Sequence, residues 1–295
     1  MAAASEVQVE VVANRQIAPE YFSMRLVGPR HLARFRPGQF LMLGWPDGRD
    51  PLLPRPMSIR CASQFKVQGV KFQVQKGSFA NPKLGTAQVE ILYKVCGRGT
   101  TLLAAMRPGR SLRVLGPLGN GFEVPRSVTD IFLIAGGIGA PPIAALAEAL
   151  AARRTSRGTK MTVFLGGRSK ADLLCTADFR RAGAKIHVTT EDGSAGQKGL
   201  VTELLEQYLH TRHPTPDTSI YACGPYPMLA ALASLAEKYE LPYQASLEAS
   251  MACGFGACMG CVVPVKGGGQ DRTYRLVCKD GPVFDARDIL WSHQR

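Results

Sequence analysis

The chain has 295 residues, 45% of them apolar, enough for packed cores in about two domains of ~150 residues each or in three smaller modules. Its formal net charge of +13 comes from 36 basic and 23 acidic residues, the basic ones in short groups such as Arg153-Arg154 and Arg180-Arg181. Without a long basic run or a recognisable nucleic-acid module, the charge does not make the chain a nucleic-acid binder; phosphate-rich cofactors, an acidic partner surface or a generally basic proteome account for it equally.

The opening Met1-Ala-Ala-Ala-Ser-Glu6 lacks a basic stretch followed by an apolar run, so no secretory leader is expected. Residues 5–123 alternate short β-rich runs with turns: Val7–Val12, Tyr21–Leu26, Gln39–Leu43, Phe72–Gln75 and Val89–Val95, punctuated by Pro37-Gly38 and Pro108-Gly109. Such spacing predicts a small antiparallel barrel or sandwich. Within it, Arg55-Pro56-Met57-Ser58 places a guanidinium and a hydroxyl near one ligand edge. The first suits a pyrophosphate and the second a ring heteroatom. The same two residues on an edge strand are also found simply solvated. Leu92-Tyr93-Lys94 leads through Gly97 and Gly99-Thr100 into a predicted helix at 101–106, where free amides favour an anion. An ordinary strand–helix turn has the same pattern. Gly116-Pro-Leu-Gly-Asn-Gly121 reads as a turn-rich strap that closes the barrel.

Over residues 124–247 the pattern changes. Strand-like runs at 131–134, 161–165, 186–190, 220–223 and 244–247 alternate with helical runs near 142–152, 171–182, 200–210 and 226–239. This predicts a doubly wound parallel sheet with ligands beyond the strands' carboxyl ends. Ile131 to Ala152 has Glu148 as its only charge, but glycines and prolines break it after four strand-like residues, so a strand–turn–helix is expected and no membrane span. The first strand ends in Gly136-Gly137-Ile-Gly139-Ala-Pro-Pro142. It is not the G-x-G-x-x-G fingerprint, yet glycines followed by a helix-starting proline allow close backbone approach to a phosphate. Cys223-Gly224-Pro225 makes a second sharp turn at the same sheet edge, although Cys223 alone also reads as a small buried hydrophobe. His210 and His213, at a helix end, read as dipole partners rather than metal ligands. Arg168 and Lys170 stand where an adenosine 2′-phosphate is met in other doubly wound folds.

Cysteine usage then decides the tail. Cys61, Cys96, Cys175 and Cys223 stand singly, as in a reducing cytoplasm. The other four, Cys253, Cys258, Cys261 and Cys278, are spaced C-x4-C-x2-C-x16-C. The first three have the plant-type [2Fe–2S] spacing. Gly254, Gly256 and Gly260 fit a loop wrapped closely around inorganic sulfide, with positive φ turning amides toward the sulfurs. A structural zinc site and four unrelated core cysteines are the alternatives; zinc ribbons usually bring two C-x2-C knuckles, and this run has one.

Together these segments resemble the ferredoxin–NADP reductase superfamily, and over almost its full length the chain resembles electron-transfer subunits of NAD-linked class 1B dihydroorotate dehydrogenase. The resemblance implies an FAD barrel at 5–123, an NAD-binding α/β module at 124–247 and a [2Fe–2S] module at 248–295. Arg55, Pro56, Met57, Ser58, Leu92, Tyr93, Lys94, Gly99 and Thr100 then fall on flavin-contact segments. Gly136, Gly137, Gly139, Cys223, Gly224 and Pro225 fall on the nucleotide signatures, with Thr190-Glu-Asp-Gly-Ser194 and Gly199. The four tail cysteines fall on the cluster ligands. The loops at 64–69 and 266–270 depart from the pattern as extensions, and Met57 replaces an aromatic residue. The resemblance also implies NAD rather than NADP, and a partner: an FMN-containing catalytic subunit, two of each chain. That subunit oxidises dihydroorotate, and this chain carries no catalytic residue for the step. Two other readings remain at this point: an NAD(P)H reductase serving a ferredoxin, oxygenase or sulfur acceptor, and a non-enzymatic zinc-stabilised binding module.

Overall fold

The computed structural model describes residues 5–46, 51–65, 86–153, 159–212, 214–267 and 273–291. Six antiparallel strands close into a barrel in the order β1-β2-β5-β4-β3-β6. They are β1 (Ser5–Ala18), β2 (Tyr21–Pro29), β3 (Phe40–Gly44), β4 (Arg55–Phe65), β5 (Thr86–Lys94) and β6 (Ser111–Leu118). Strict alternation of buried and half-buried residues in β6 shows why: period-two patterning puts Leu112, Val114 and their cross-strand neighbours inside. Val9, Met24, Leu41, Ile59 and Ile91 complete this core. Phe72–Gln75 and most of the 64–69 loop lie outside the described residues.

Two local expectations need correction. Helix α1 runs Arg98–Ala104, three residues earlier than the sequence suggested, because Thr100 Oγ1 accepts the amides of Cys96 and Gly97 and anchors the first turn there. The strap at 116–121 is half strand: Gly116 still pairs with Ser5, and Leu118 with Phe40.

The second module is a parallel sheet of order β10-β9-β8-β7-β11-β12, to whose β12 edge a strand of the tail, β15 (Val283–Asp285), adds antiparallel. Its elements are β7 (Asp130–Gly136), α2 (Ala140–Arg153), β8 (Lys160–Gly167), α3 (Thr176–Arg181), β9 (Lys185–Thr190), β10 (Gln197–Lys198), α4 (Val201–Thr211), β11 (Thr218–Cys223), α5 (Tyr226–Lys238) and β12 (Tyr243–Ser246). β7 and β11 are buried almost throughout, as central strands covered by helices on both faces must be. The helical run expected at 171–182 is broken into a 3-10 turn, Lys170–Asp172, and α3. Ser169 caps the turn, and Cys175 takes a left-handed φ of 59° between the two pieces.

The tail adds a hairpin, β13 (Val262–Val265) with β14 (Thr273–Leu276), and then β15 (Val283–Asp285), which pairs antiparallel to β12. The cluster segment is therefore knitted to the sheet through β15, and to the barrel through Asn120, whose amide donates to Gly281 O at 2.5 Å. Among the described residues no helix is long and apolar enough to cross a membrane.

Candidate functional site

At the carboxyl ends of the parallel strands lies a cavity of about 510 Å³. Gly136 and Gly137 from the β7 turn, Gly224 and Pro225 from the β11 turn, and Gly199 line it. Both turns need their glycines. A Cβ on Gly136 would lie 2.7 Å from Met228 Sδ, and one on Gly139 would lie 2.6 Å from the Gly224 amide. Gly139 and Cys223 thus pack against each other behind the cavity rather than line it. Cys223 is 3% exposed, and burial, with Glu248 nearby, pushes its thiol upward. Two open turns meeting at one sheet edge fit the phosphates and nicotinamide end of a dinucleotide, which binds to such backbone.

The barrel supplies the facing wall. Lys94 and Tyr21, paired across β5 and β2, both line the cavity. Arg55 lies against the start of α1: a Cβ on Gly99 would sit 2.7 Å from its Cζ. A guanidinium laid on a glycine-bearing helix start is a fit for the flavin's pyrophosphate. Ser58 is half-buried on the same strand. Met57 and Tyr93 point the other way, into the barrel core; Tyr93 stacks on Phe22 and donates its hydroxyl to Asn14 Oδ1 at 2.9 Å. Leu92 lines a neighbouring cavity between the modules, and Thr100 spends its hydroxyl on the Cys96–Gly97 turn. Arg55 therefore meets Gly99 at the start of α1 and Lys94 faces the cavity, whereas Met57 and Tyr93 pack inside the barrel and Thr100 is buried in α1.

In the tail the four thiols gather as two pairs. The Cys258 amide donates to Cys253 Sγ and the Cys278 amide to Cys261 Sγ, each at 3.4 Å. Burial pushes the Cys253 thiol up, but the amides of Cys258, Phe255 and Ala257 outweigh it and bring it down to about 6. Cys278 is pushed up to about 12 by burial and by Cys261 and Cys253. The thiols thus stand as two pairs, Cys253 with Cys258 and Cys261 with Cys278; among the described residues no three of them come close enough together to form a metal-binding group, and it is the pairing that fits a two-iron cluster. Gly254 and Gly256 take φ of 82° and 91° as expected; Gly260 does not, and Met259 (φ 58°) makes the left-handed turn instead.

Several site residues escaped the sequence reading. Thr189 is 1% exposed, yet its Oγ1 has no hydrogen-bond partner and borders the cavity. Glu191 and Arg168 also line the cavity, on neighbouring segments joined by the Glu191 amide donating to Gly167 O, whereas Lys170 does not line it. Glu248 lines it too; the residue is exposed, and desolvation of its carboxyl against the cavity wall raises its pKa. The residues of Thr190-Glu-Asp-Gly-Ser194 were visible as a motif, but nothing in the sequence said which of them faces a ligand. His210 sits in the last turn of α4 as expected, and His213 lies outside the described residues.

Residues 248–290 match the family model of the iron–sulfur cluster binding domain of dihydroorotate dehydrogenase B, and residues 133–234 match the oxidoreductase NAD-binding domain. The chain is 33% identical over 283 residues to the dihydroorotate dehydrogenase B (NAD(+)) electron transfer subunit of Desulforamulus reducens, covering 96% of this chain and 97% of the relative. It is 38% identical over 286 residues to the same subunit from Geobacillus kaustophilus, covering 96% and 98%. Among solved structures, an NADH-dependent reduced ferredoxin–NADP oxidoreductase chain superposes with a TM-score of 0.76 at 26% identity, covering 99% of this chain and 92% of that one. The ferredoxin reductase in carbazole 1,9a-dioxygenase, at 24% identity and TM-score 0.61 over 82% of this chain and 68% of that one, shares the fold.

Proposed function

The chain belongs to the family of dihydroorotate dehydrogenase B electron-transfer subunits, and from that premise we propose that it carries electrons from an FMN-containing catalytic subunit to NAD+ in pyrimidine biosynthesis. The observation that supports the reading is that three candidate cofactor sites lie in one chain. A four-thiol loop packs on the barrel, an Arg–Gly pyrophosphate cradle opens at the barrel end, and a nucleotide cavity faces that end from the sheet. The modules at 5–123, 124–247 and 248–295 hold FAD, NAD and the [2Fe–2S] cluster in turn. Bound flavin supplies the exchange between one-electron traffic from a cluster and two-electron hydride traffic with NAD.

The chain's residues bind and orient. Arg55 and the Gly99 turn hold the FAD pyrophosphate, and Ser58 meets the ring edge. Gly136, Gly137, Gly224 and Pro225 bring backbone close to the dinucleotide. Cys253, Cys258, Cys261 and Cys278 would hold the [2Fe–2S] cluster, which would pass electrons one at a time. Glu191 and Arg168 both line the cavity; Glu191 would disfavour a 2′-phosphate there, in keeping with NAD as the acceptor. The thiol pairs and the match over 248–290 favour the cluster over zinc.

The catalytic subunit docks beside the cluster. Around the thiol loop, Phe255 (57%), Met259 (59%), Val262 (41%) and Tyr274 (56%) are exposed. Large apolar side chains grouped on a surface mark a protein contact. A heterotetramer of two subunits of each kind, in the cytoplasm, is part of this proposal. To test it, the chain is purified loaded and offered NADH with an artificial dye, then dihydroorotate with the same dye. Dye reduction with NADH, and with dihydroorotate only after the catalytic subunit is added, is expected. Dihydroorotate turnover by this chain alone overturns the subunit reading. Failure of the added catalytic subunit to confer it favours a reductase of another pathway.

A further inference from the structure

One cation of the barrel reaches across to the other module. Arg60 lies two residues past Ser58 on β4 and is 6% exposed. Its Nη2 is 2.9 Å from Glu148 Oε1 on α2 and 2.5 Å from Asp178 Oδ1 on α3. Nη1 donates to Glu148 Oε2 at 3.4 Å and Nε to Asp178 Oδ2 at 3.3 Å. Arg181 also reaches both acids from the solvent side. A second tie spans the same two modules: Tyr21 Oη on β2 donates to Asp172 Oδ1 at 2.5 Å, beyond the end of β8.

The placement is informative. β4 is the strand that carries Arg55 and Ser58, and α2 is the helix that leaves the Gly136–Gly139 turn. Arg60 therefore couples the flavin-facing strand to the nucleotide-facing helix with a four-contact fork. Stability is a poor reason for such a group, since apolar replacements of a buried ion pair are often neutral or better. What a planar, two-sided fork provides is direction, because its donors fix both partners in orientation. Direction matters most where two ligands must meet face to face: reacting atoms have to approach to about 3–3.5 Å, and a 1 Å misplacement can cost about a hundredfold in rate.

We propose that the Arg60–Glu148–Asp178 fork is a positioning device that sets the angle between barrel and sheet, and hence the alignment of nicotinamide on flavin, without contributing to the binding of either. The proposal rests on the reading of the cleft as a flavin–nicotinamide site. In the step concerned, a hydride leaves the nicotinamide of NADH with both electrons of its C–H bond and enters the flavin, which the dye then reoxidises.

Two variants test it in the loaded chain. Arg60→Lys keeps the charge and loses the fork; Glu148→Gln, whose side chain is 34% exposed, keeps the shape and loses half the pairing. Steady-state kinetics with NADH and dye are read together with the long-wavelength charge-transfer absorbance that forms when NAD+ is added to the reduced protein. Amide exchange is followed in the FAD-free chain. A fall in kcat of tenfold or more is expected in both variants, with KM for NADH within twofold, a weakened charge-transfer absorbance, and faster exchange confined to β4, α2 and α3. If Arg60→Lys does not fold, Glu148→Gln decides alone. A kcat within twofold of the parent chain, or a rise in KM that accounts for the whole loss, overturns the positioning role. A parent chain that fails to oxidise NADH overturns the cleft reading itself.

Discussion

Replacing Gly254 by alanine probes how the cluster loop is held against the barrel. Gly254 has φ of 82°, and a Cβ there would sit 2.9 Å from Met42 Sδ and 3.2 Å from Leu118 Cδ1. Met42 and Leu118 are buried, 1% and 6% exposed, so neither has room to retreat. The left-handed conformation costs a non-glycine residue about 1–2 kcal/mol, and overpacking a filled site costs about 1–3 kcal/mol more. A total near 3 kcal/mol makes opening of the loop about a hundredfold more frequent, at roughly 1.4 kcal/mol per factor of ten. Gly260→Ala is the control: its Cβ would meet only Cys258 Sγ, at an ordinary 3.6 Å, and its φ is not left-handed. The assay is anaerobic bleaching of the cluster's visible absorbance by an iron chelator, with flavin content followed in parallel. Bleaching should accelerate about a hundredfold in Gly254→Ala and less than threefold in Gly260→Ala, with FAD retained in both. Equal bleaching rates in the two variants would refute the packing argument.

In Gly139→Ala the new methyl collides with the backbone at Cys223–Gly224, so KM for NADH should rise at least tenfold while FAD content is unchanged; a KM within twofold sinks the turn assignment. Glu191→Gln removes a carboxylate from the face where a 2′-phosphate would lie, and like charges brought together cost several kcal/mol. The ratio of kcat/KM for NADPH over NADH should therefore climb at least tenfold, and an unchanged ratio removes Glu191 from the adenosine site. Desolvation raises the folded pKa of Glu248, and its exposure keeps the effect small; its contribution to stability is full below the unfolded carboxylate value and is lost as pH rises through the folded value. Glu248→Gln should accordingly raise Tm slightly at neutral pH and converge with the parent chain near pH 4; a Tm difference that does not grow with pH contradicts the desolvation.

The fold was legible because its signals are periodic. Alternation in β5 and β6, and apolar runs before glycine turns in β7 and β11, are local properties that survive folding. What stayed hidden depends on side-chain direction and on partners far along the chain. Tyr93 and Lys94 are neighbours in one motif, yet the pleat sends Tyr93 to the core and Lys94 to the cavity. Without strand register, nothing in Leu-Tyr-Lys says which residue meets a ligand. Arg60 and Asp178 are 118 positions apart, and each reads alone as a solvated charge. Gly260 shows the reverse error: a glycine looks like the natural left-handed residue, but in the loop Met259 makes that turn.

Charge placement completes the picture of the docking face. Residues 5–123 hold 17 basic and 7 acidic residues, so the barrel alone carries +10 of the net +13; residues 248–295 hold 6 and 5. The tail segment is thus nearly neutral in sequence and carries exposed Phe255, Met259 and Tyr274, whereas the excess of cations falls in the barrel segment. Electrostatic steering accelerates encounter in proportion to complementary charge and fades with salt. A neutral apolar face gains little from it and relies on burial, at about 25 cal/mol per Å² of apolar surface removed from water. If the partner docks at the tail as proposed, association there should depend little on salt, and a strong salt dependence of complex formation would contradict an apolar docking face.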